Sequence, residues 1–162
     1  MVEVVATDPT SPEGREMFAA SSKEQVDRYG RDGGRKIEEL ARDAEVFCVA
    51  RLDGTPVGCG AVVSLMPGVG ELSRIFVSDA ARRRGVGRAI MAWLEAQARG
   101  RFDRLVLETG TEQPESIRLY EVCGYRPIPC WGKSADNPRS RCYEKSLAGP
   151  GSEPVGASSS PR

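Results

Sequence analysis

The chain has 162 residues, 40% apolar and 28% charged, the proportions of one soluble domain able to bury a core without disulfide or metal staples. Its 23 basic and 23 acidic side chains cancel, which argues against the net basic face that broad nucleic-acid binding needs. Histidine is absent, which removes His-assisted nucleophiles and most zinc sites, so no metal is expected and any general base must be Glu, Asp, Lys, Tyr or a water chain.

Val2–Ala6 is a short β-branched run closed by Asp8-Pro9 and predicts a first strand. Ser11-Pro12 has the form of an N-cap with proline at the first helical position, and Met17, Phe18, Val26 and Tyr29 continue a helix to about Tyr29, where Gly30 breaks it. A short helix is expected over Arg35–Asp43. Glu45–Leu52 and Thr55–Leu65 flank Asp53-Gly54, a hairpin signal, and Gly70–Ser78 is the next strand. An amphipathic helix follows from Gly85 to about Arg99, with Val86, Ile90, Trp93 and Leu94 on its apolar face. Arg104–Glu108 predicts a strand, Pro114 opens a helix to about Cys123, and Tyr125–Ile128 and Arg141–Ser146 predict two closing strands. The order βααβββαβαββ implies an α/β fold with a mixed sheet and helices on both faces. Residues 1–147 form the domain in this reading, and 148–162, rich in Gly, Pro and Ser, are expected to be a disordered tail.

The five cysteines form no CxxC pair and are expected to be structural free thiols in a reduced, cytoplasmic protein. The N-terminal segment lacks the basic flank and apolar stretch of a signal peptide, and no apolar run reaches the length of a membrane span.

The segment Arg82-Arg83-Arg84-Gly85-Val86-Gly87 stands where a strand and short loop run into the long helix. Helix N-termini expose free N–H groups and carry partial positive charge. Three arginines there are unfavourable with nothing bound, whereas an anion would reverse the sign, and glycines let a phosphate approach the backbone. The segment is neither a Walker loop nor GxGxxG, because no GK[ST] and no third glycine follow.

This segment resembles the [QR]xxGx[GA] signature of the GNAT (GCN5-related N-acetyltransferase) superfamily, and Leu119-Tyr120-Glu121-Val122-Cys123-Gly124-Tyr125 resembles that family's LYxxxGF/Y segment at the usual spacing. The resemblance spans roughly Val2–Leu147, and Glu108–Ile128 is similar to a bacterial subgroup of small-molecule type. It implies a GNAT fold, acetyl-CoA as co-substrate, and direct attack of an amine on the thioester. It further implies that Arg82, Arg83, Arg84, Gly85, Val86, Gly87 and Arg88 hold the coenzyme A pyrophosphate. Ile75, Phe76 and Val77 would offer backbone groups to pantetheine. Two positions depart from the family pattern: Gln113, seven before Tyr120, stands where Asn is usual, and Ser116, four before it, stands where Ala is usual. Both remain expected cofactor contacts.

N-acetylation needs an amine to lose a proton and a thiolate to leave as a thiol. Tyr120 occupies the family position of the general acid. Glu71, eleven residues before Arg82, matches the offset of a general base in the histone-acetylating branch, and Glu108 at the end of the following strand is the second candidate. Phe18, Arg28, Tyr29 and Trp131 fall where the family forms its acceptor pocket, with Tyr29 and Trp131 as the expected substrate residues. The acceptor is read as a primary amine on a small molecule. The alternatives are a protein N-terminus or lysine, or an acyl-CoA-binding regulatory module without turnover, which would need neither Tyr120 nor Glu71. No nucleic-acid or membrane partner is expected, and the resemblance allows a homodimer.

Overall fold

The computed structural model describes residues 1–147, so the expected tail at 148–162 lies outside the described residues. The elements are β1 (Val2–Ala6), α1 (Pro12–Tyr29), α2 (Ile37–Asp43), β2 (Ala44–Leu52), β3 (Thr55–Met66), β4 (Val69–Val77), α3 (Val86–Ala98), β5 (Arg104–Gly110), α4 (Pro114–Val122), β6 (Arg126–Ile128) and β7 (Ser140–Ser146), with 3-10 turns at Asp79–Ala81 and Gly132–Ser134. The seven strands are ordered β1-β2-β3-β4-β5-β7-β6. β4–β5 is parallel, and β1–β2, β2–β3, β5–β7 and β6–β7 are antiparallel. This is the expected mixed α/β fold. Among the described residues, no helix is long and apolar enough to cross a membrane. The chain divides into two compact units: Met1–Val63 with Ser73–Gln97, and Ser64–Leu72 with the residues from Ala98 onward.

In the first unit, Ser11 Oγ accepts the Gly14 N–H at 3.1 Å, Pro12 sits at the first turn of α1, and Gly30 ends it with φ 78°. The buried face of α1 is Gly14, Met17 and Ser21, whereas Val26, expected on that face, is 46% exposed. β3 is buried on both sides. Cys59, Ala61 and Val63 join Met17, Leu40, Phe47, Val49 and Phe76 in one core. The alternate residues Gly58 and Gly60 let α3 approach closely: a Cβ on Gly60 would lie 2.9 Å from Leu94 Cδ1 and 3.0 Å from Ile90 Cγ2. Helices therefore cover both faces of this part of the sheet. Val86, Ile90, Met91 and Leu94 are fully buried along α3, and each contributes about 1.5–3 kcal/mol of apolar burial.

In the second unit, the β5–β7 register pairs Glu108 with Cys142 and Leu107 with Tyr143. Cross-strand partners share a face and neighbours alternate. One face therefore carries Arg104, Val106, Glu108, Cys142 and Glu144, and the other Leu105, Leu107 and Tyr143. Arg104 and Glu144, 4% and 6% exposed, are paired at 2.8 Å, and Arg126 bonds the second Glu144 oxygen at 2.7 Å.

The expectation of five free thiols is corrected here. Cys130 and Cys142 form a disulfide with Cα atoms 5.2 Å apart. The β6–β7 register sets Ile128 opposite Cys142, so the chain leaving β6 carries Cys130 past its partner, a proximity that a separation of 12 residues conceals. Cys48 and Cys59 are buried free thiols, as expected, and burial pushes Cys48 up to about 12 and raises Cys59 as well. Cys123 is free and half-buried.

Candidate active site

In the first unit, the loop before α3 reverses direction through two left-handed residues, Arg83 at φ 63° and Gly85 at φ 80°. A Cβ on Gly85 would meet nothing within 4 Å, so this glycine is required by its backbone angle rather than by crowding. Ala89 N–H bonds Gly85 O at 3.1 Å, which makes Gly85 the start of the helical ladder. The N–H groups of Val86, Gly87 and Arg88 precede any helical acceptor. The first turn of α3 holds no acidic residue, and Arg83, Arg84 and Arg88 are exposed. The arrangement is a cationic helix start able to receive a phosphate group.

Arg82 differs from its neighbours. Its guanidinium bonds Glu24 of α1 at 3.1 Å and pairs with Asp79, and Glu24 also pairs with Arg28 at 2.9 Å. Much of the charge that Arg82 brings to the loop is thus offset within the fold, leaving its backbone as the part turned to loop geometry.

The β4–β5 ladder runs from Val69↔Arg104 to Glu71↔Val106 and goes no further among the described residues. Three residues later, Arg74 adopts φ 56° in the middle of β4, a left-handed geometry that a long side chain holds at a cost of about 1–3 kcal/mol. A dense set of contacts holds it. Arg74 Nη2 bonds Asp32 Oδ2 at 2.6 Å and the Arg35 carbonyl at 2.8 Å, its Nε bonds the same carbonyl at 3.1 Å, and its guanidinium lies 4.5 Å over the Phe18 ring. The Cys59 thiol donates to the Arg74 carbonyl at 3.3 Å. Burial alone would raise the Asp32 carboxyl. Hydrogen bonds from Arg74, Ser22 and the Gly34 N–H, with the Arg74 charge, outweigh it and hold Asp32 below its usual value. The strand pattern hid this network, because Arg74 reads there as one polar residue in a strand. Ile75 packs toward Gly60 and Phe76 enters the core, so the groups that Ile75 and Phe76 can offer a ligand are backbone groups.

The three candidate catalytic residues all fall in the second unit. Glu71 is in register with Val106, and Glu108 follows two residues along the same face, which puts their Cα atoms on the order of 8 Å apart from strand spacing and rise. Tyr120, 5% exposed, packs on the opposite face: its ring lies 6.4 Å from Tyr143 and 6.3 Å from Tyr125. Burial, together with the Glu121 charge, raises the Tyr143 phenol. Gln113 is buried at the start of α4, and its carbonyl accepts the N–H groups of Ser116 and Ile117 at 3.1 Å each. Ser116 is half-buried in that first turn. Trp131 is half-buried just before the Gly132–Ser134 turn. Tyr29 belongs to the first unit, as the last residue of α1. Sequence reasoning missed Ser134 and Ser140, whose hydroxyls bond Glu108 Oε2 at 2.5 and 2.6 Å.

The profile of the acetyltransferase (GNAT) family matches residues 11–125. An IAA acetyltransferase of Azospirillum brasilense is 37% identical over 113 residues, which cover 68% of this chain and 74% of that protein. A candidate acyl-CoA N-acyltransferase of Klebsiella pneumoniae superposes with a TM-score of 0.74 at 30% identity, covering 91% of this chain and 99% of that one. A GNAT-family acetyltransferase of Elizabethkingia anophelis, solved with acetyl-CoA bound, superposes with a TM-score of 0.64 at 16% identity, covering 90% and 97%. The chain belongs to the GNAT acetyltransferase family. It is an acetyl-CoA-dependent acetyltransferase.

Proposed function

We propose that the chain transfers the acetyl group of acetyl-CoA to a primary amine of a small molecule by direct attack. The observation that carries the reading is the start of α3, where Gly85 takes a left-handed angle and the free N–H groups of the first turn stand among the exposed Arg83, Arg84 and Arg88, a receiver for the coenzyme A pyrophosphate. Direct attack needs a proton removed from the amine and a proton delivered to the leaving sulfur at the same acyl group. Glu71 or Glu108 takes the ammonium proton, directly or through water. The Tyr120 hydroxyl protonates the leaving sulfur.

Backbone N–H groups of Arg82–Arg88 receive the pyrophosphate at the start of α3, with Arg83, Arg84 and Arg88 supplying positive charge. Ile75–Val77 pair through their backbone with pantetheine amides, and Gln113 and Ser116 add polar contacts from α4. The acetyl-CoA complex of the Elizabethkingia neighbour supports this use of the fold. Tyr29 in the first unit and Trp131 in the second are each candidate acceptor contacts, and the name of the Azospirillum relative favours a small-molecule acceptor. The reaction belongs in the cytoplasm.

The test is acetyl transfer from acetyl-CoA to a panel comprising an arylalkylamine, an aminoalkanol, a diamine, an α-amino acid and a lysine peptide. Turnover of a small amine is expected, and Tyr120→Phe lowers kcat at least tenfold, since general-acid help is worth about 10² or more. Full activity in Tyr120→Phe removes the acid assignment. Turnover of the peptide alone replaces the small-molecule reading.

A further inference from the structure

Glu108 is held by a segment whose serines no assigned function uses. The disulfide between Cys130 and Cys142 closes the chain from Trp131 to Arg141 into a loop. Ser134 from the middle of that loop and Ser140 from its end both bond Glu108 Oε2, at 2.5 and 2.6 Å. Cys142 is the cross-strand partner of Glu108, and Ser140 pairs with Gly110 two residues along the same face. The Thr111 N–H adds a bond to Arg139 O at 2.9 Å at the loop's return. The loop therefore meets β5 beside the carboxylate, and its two ends are joined covalently there.

We propose that Ser134 and Ser140 are positioning residues for Glu108 and that the Cys130–Cys142 pair is a redox-sensitive clasp on the loop that carries them. This rests on the reading of Glu108 as the base. Two hydroxyl donors on one oxygen fix the carboxylate rotamer and leave Oε1 to accept a proton. An exposed glutamate without them samples many rotamers, and displacing a catalytic group by about 1 Å can cost about 10²-fold in rate. Ser140 is 8% exposed in β7 and stays placed by the ladder. Ser134 lies six residues before β7 and depends on loop closure. The clasp opens by two-electron reduction: a thiolate attacks one sulfur, the resulting mixed disulfide is resolved by a second thiol, and Cys130 and Cys142 each end as a thiol. Closure is the reverse, with a low-molecular-weight disulfide taking the two electrons and leaving as two thiols. Cys130 is half-buried and Cys142 buried, so attack falls on the Cys130 sulfur.

The experiment follows the acetylated product by chromatography, so that reductant does not interfere, with the panel amine turned over fastest. Ser134→Ala/Ser140→Ala is expected to lower kcat about tenfold or more while acetyl-CoA affinity by calorimetry stays within about twofold, which also reports folding. Ser134→Thr, which keeps the hydroxyl, retains most of the activity. Wild type treated with dithiothreitol loses severalfold in kcat and regains it with oxidised glutathione. Cys130→Ser/Cys142→Ser sits at the reduced level and responds to neither reagent. A serine double variant with wild-type kcat, or equal activity of the oxidised and reduced protein, overturns the proposal. Wild-type kcat in Glu108→Gln overturns the base reading itself, and Glu108→Gln loss with unaffected serine variants overturns the clamp alone.

Discussion

Asp32→Ala tests the network that holds the irregular middle of β4. The carboxylate accepts from Arg74 Nη2 at 2.6 Å, from Ser22 Oγ at 2.7 Å and from the Gly34 N–H at 3.0 Å. The Arg74 side chain is 5% exposed and that of Asp32 is 16% exposed. Removing the carboxylate leaves a buried guanidinium on the Arg35 carbonyl and the Ser21 hydroxyl, with its charge uncompensated. Breaking a buried pair from one side costs about 3–5 kcal/mol. The partial exposure of Asp32 favours the lower end, about 3 kcal/mol, which is a fall in Tm of about 6–12 °C for a chain of this size. Urea unfolding of wild type, Asp32→Ala, Arg74→Met and the double variant measures it. Arg74→Met/Asp32→Ala should be no less stable than Asp32→Ala, since the second change removes the stranded charge. A loss below about 1 kcal/mol in Asp32→Ala would refute the reasoning, because that is what an exposed, solvated ion pair gives.

The same carboxylate sets a pH dependence. Its folded value lies below that of an ordinary aspartate, so its contribution is full above the unfolded value and is lost as pH falls through the folded one. The stability gap between wild type and Asp32→Asn, from urea titrations across pH, should be constant from neutral down to about pH 5 and narrow below about pH 4. Glu144→Gln leaves the buried Arg104 with a neutral partner and should cost about 3 kcal/mol by the same assay. Gly60→Ala drives a Cβ to within 2.8 Å of Ile75 Cδ1 and 2.9 Å of Leu94 Cδ1, so overpacking of about 1–3 kcal/mol is expected in thermal unfolding.

The element order was legible because hydrophobic period and punctuation agree along the chain. The Ser11-Pro12 start of α1, the Asp53-Gly54 hairpin and the apolar stripe of α3 each rest on local chemistry, and each stands within a residue or two of its expected limits. The buried face of α1 was less legible. It is built from Gly14 and Ser21 beside Met17, small residues that carry no apolar signal, while Val26 carries the signal and faces solvent. The cationic start of α3 could be read from Arg82–Gly87, but the pairing of Arg82 with Glu24 depends on a residue 58 positions away. Arg74 and Asp32 are likewise joined only by tertiary packing. The Cys130–Cys142 bond follows from the β6–β7 register, which no local pattern encodes. Glu71 and Glu108 were legible as carboxylates at the ends of successive strands, which adjacent pairing could bring near one cleft. Their shared face, and the serine hydroxyls on Glu108, come from pairing across strands.

The cofactor assignment rests on the start of α3, where Gly85 takes a left-handed angle and the first turn offers N–H groups and carries no acidic residue of its own. Calorimetric titration of coenzyme A into wild type and Gly87→Glu tests it most directly. Binding to wild type and no measurable binding to a folded Gly87→Glu variant is the predicted result, because the new carboxylate meets the pyrophosphate at the same N–H groups. Equal affinity in the two proteins would contradict the assignment.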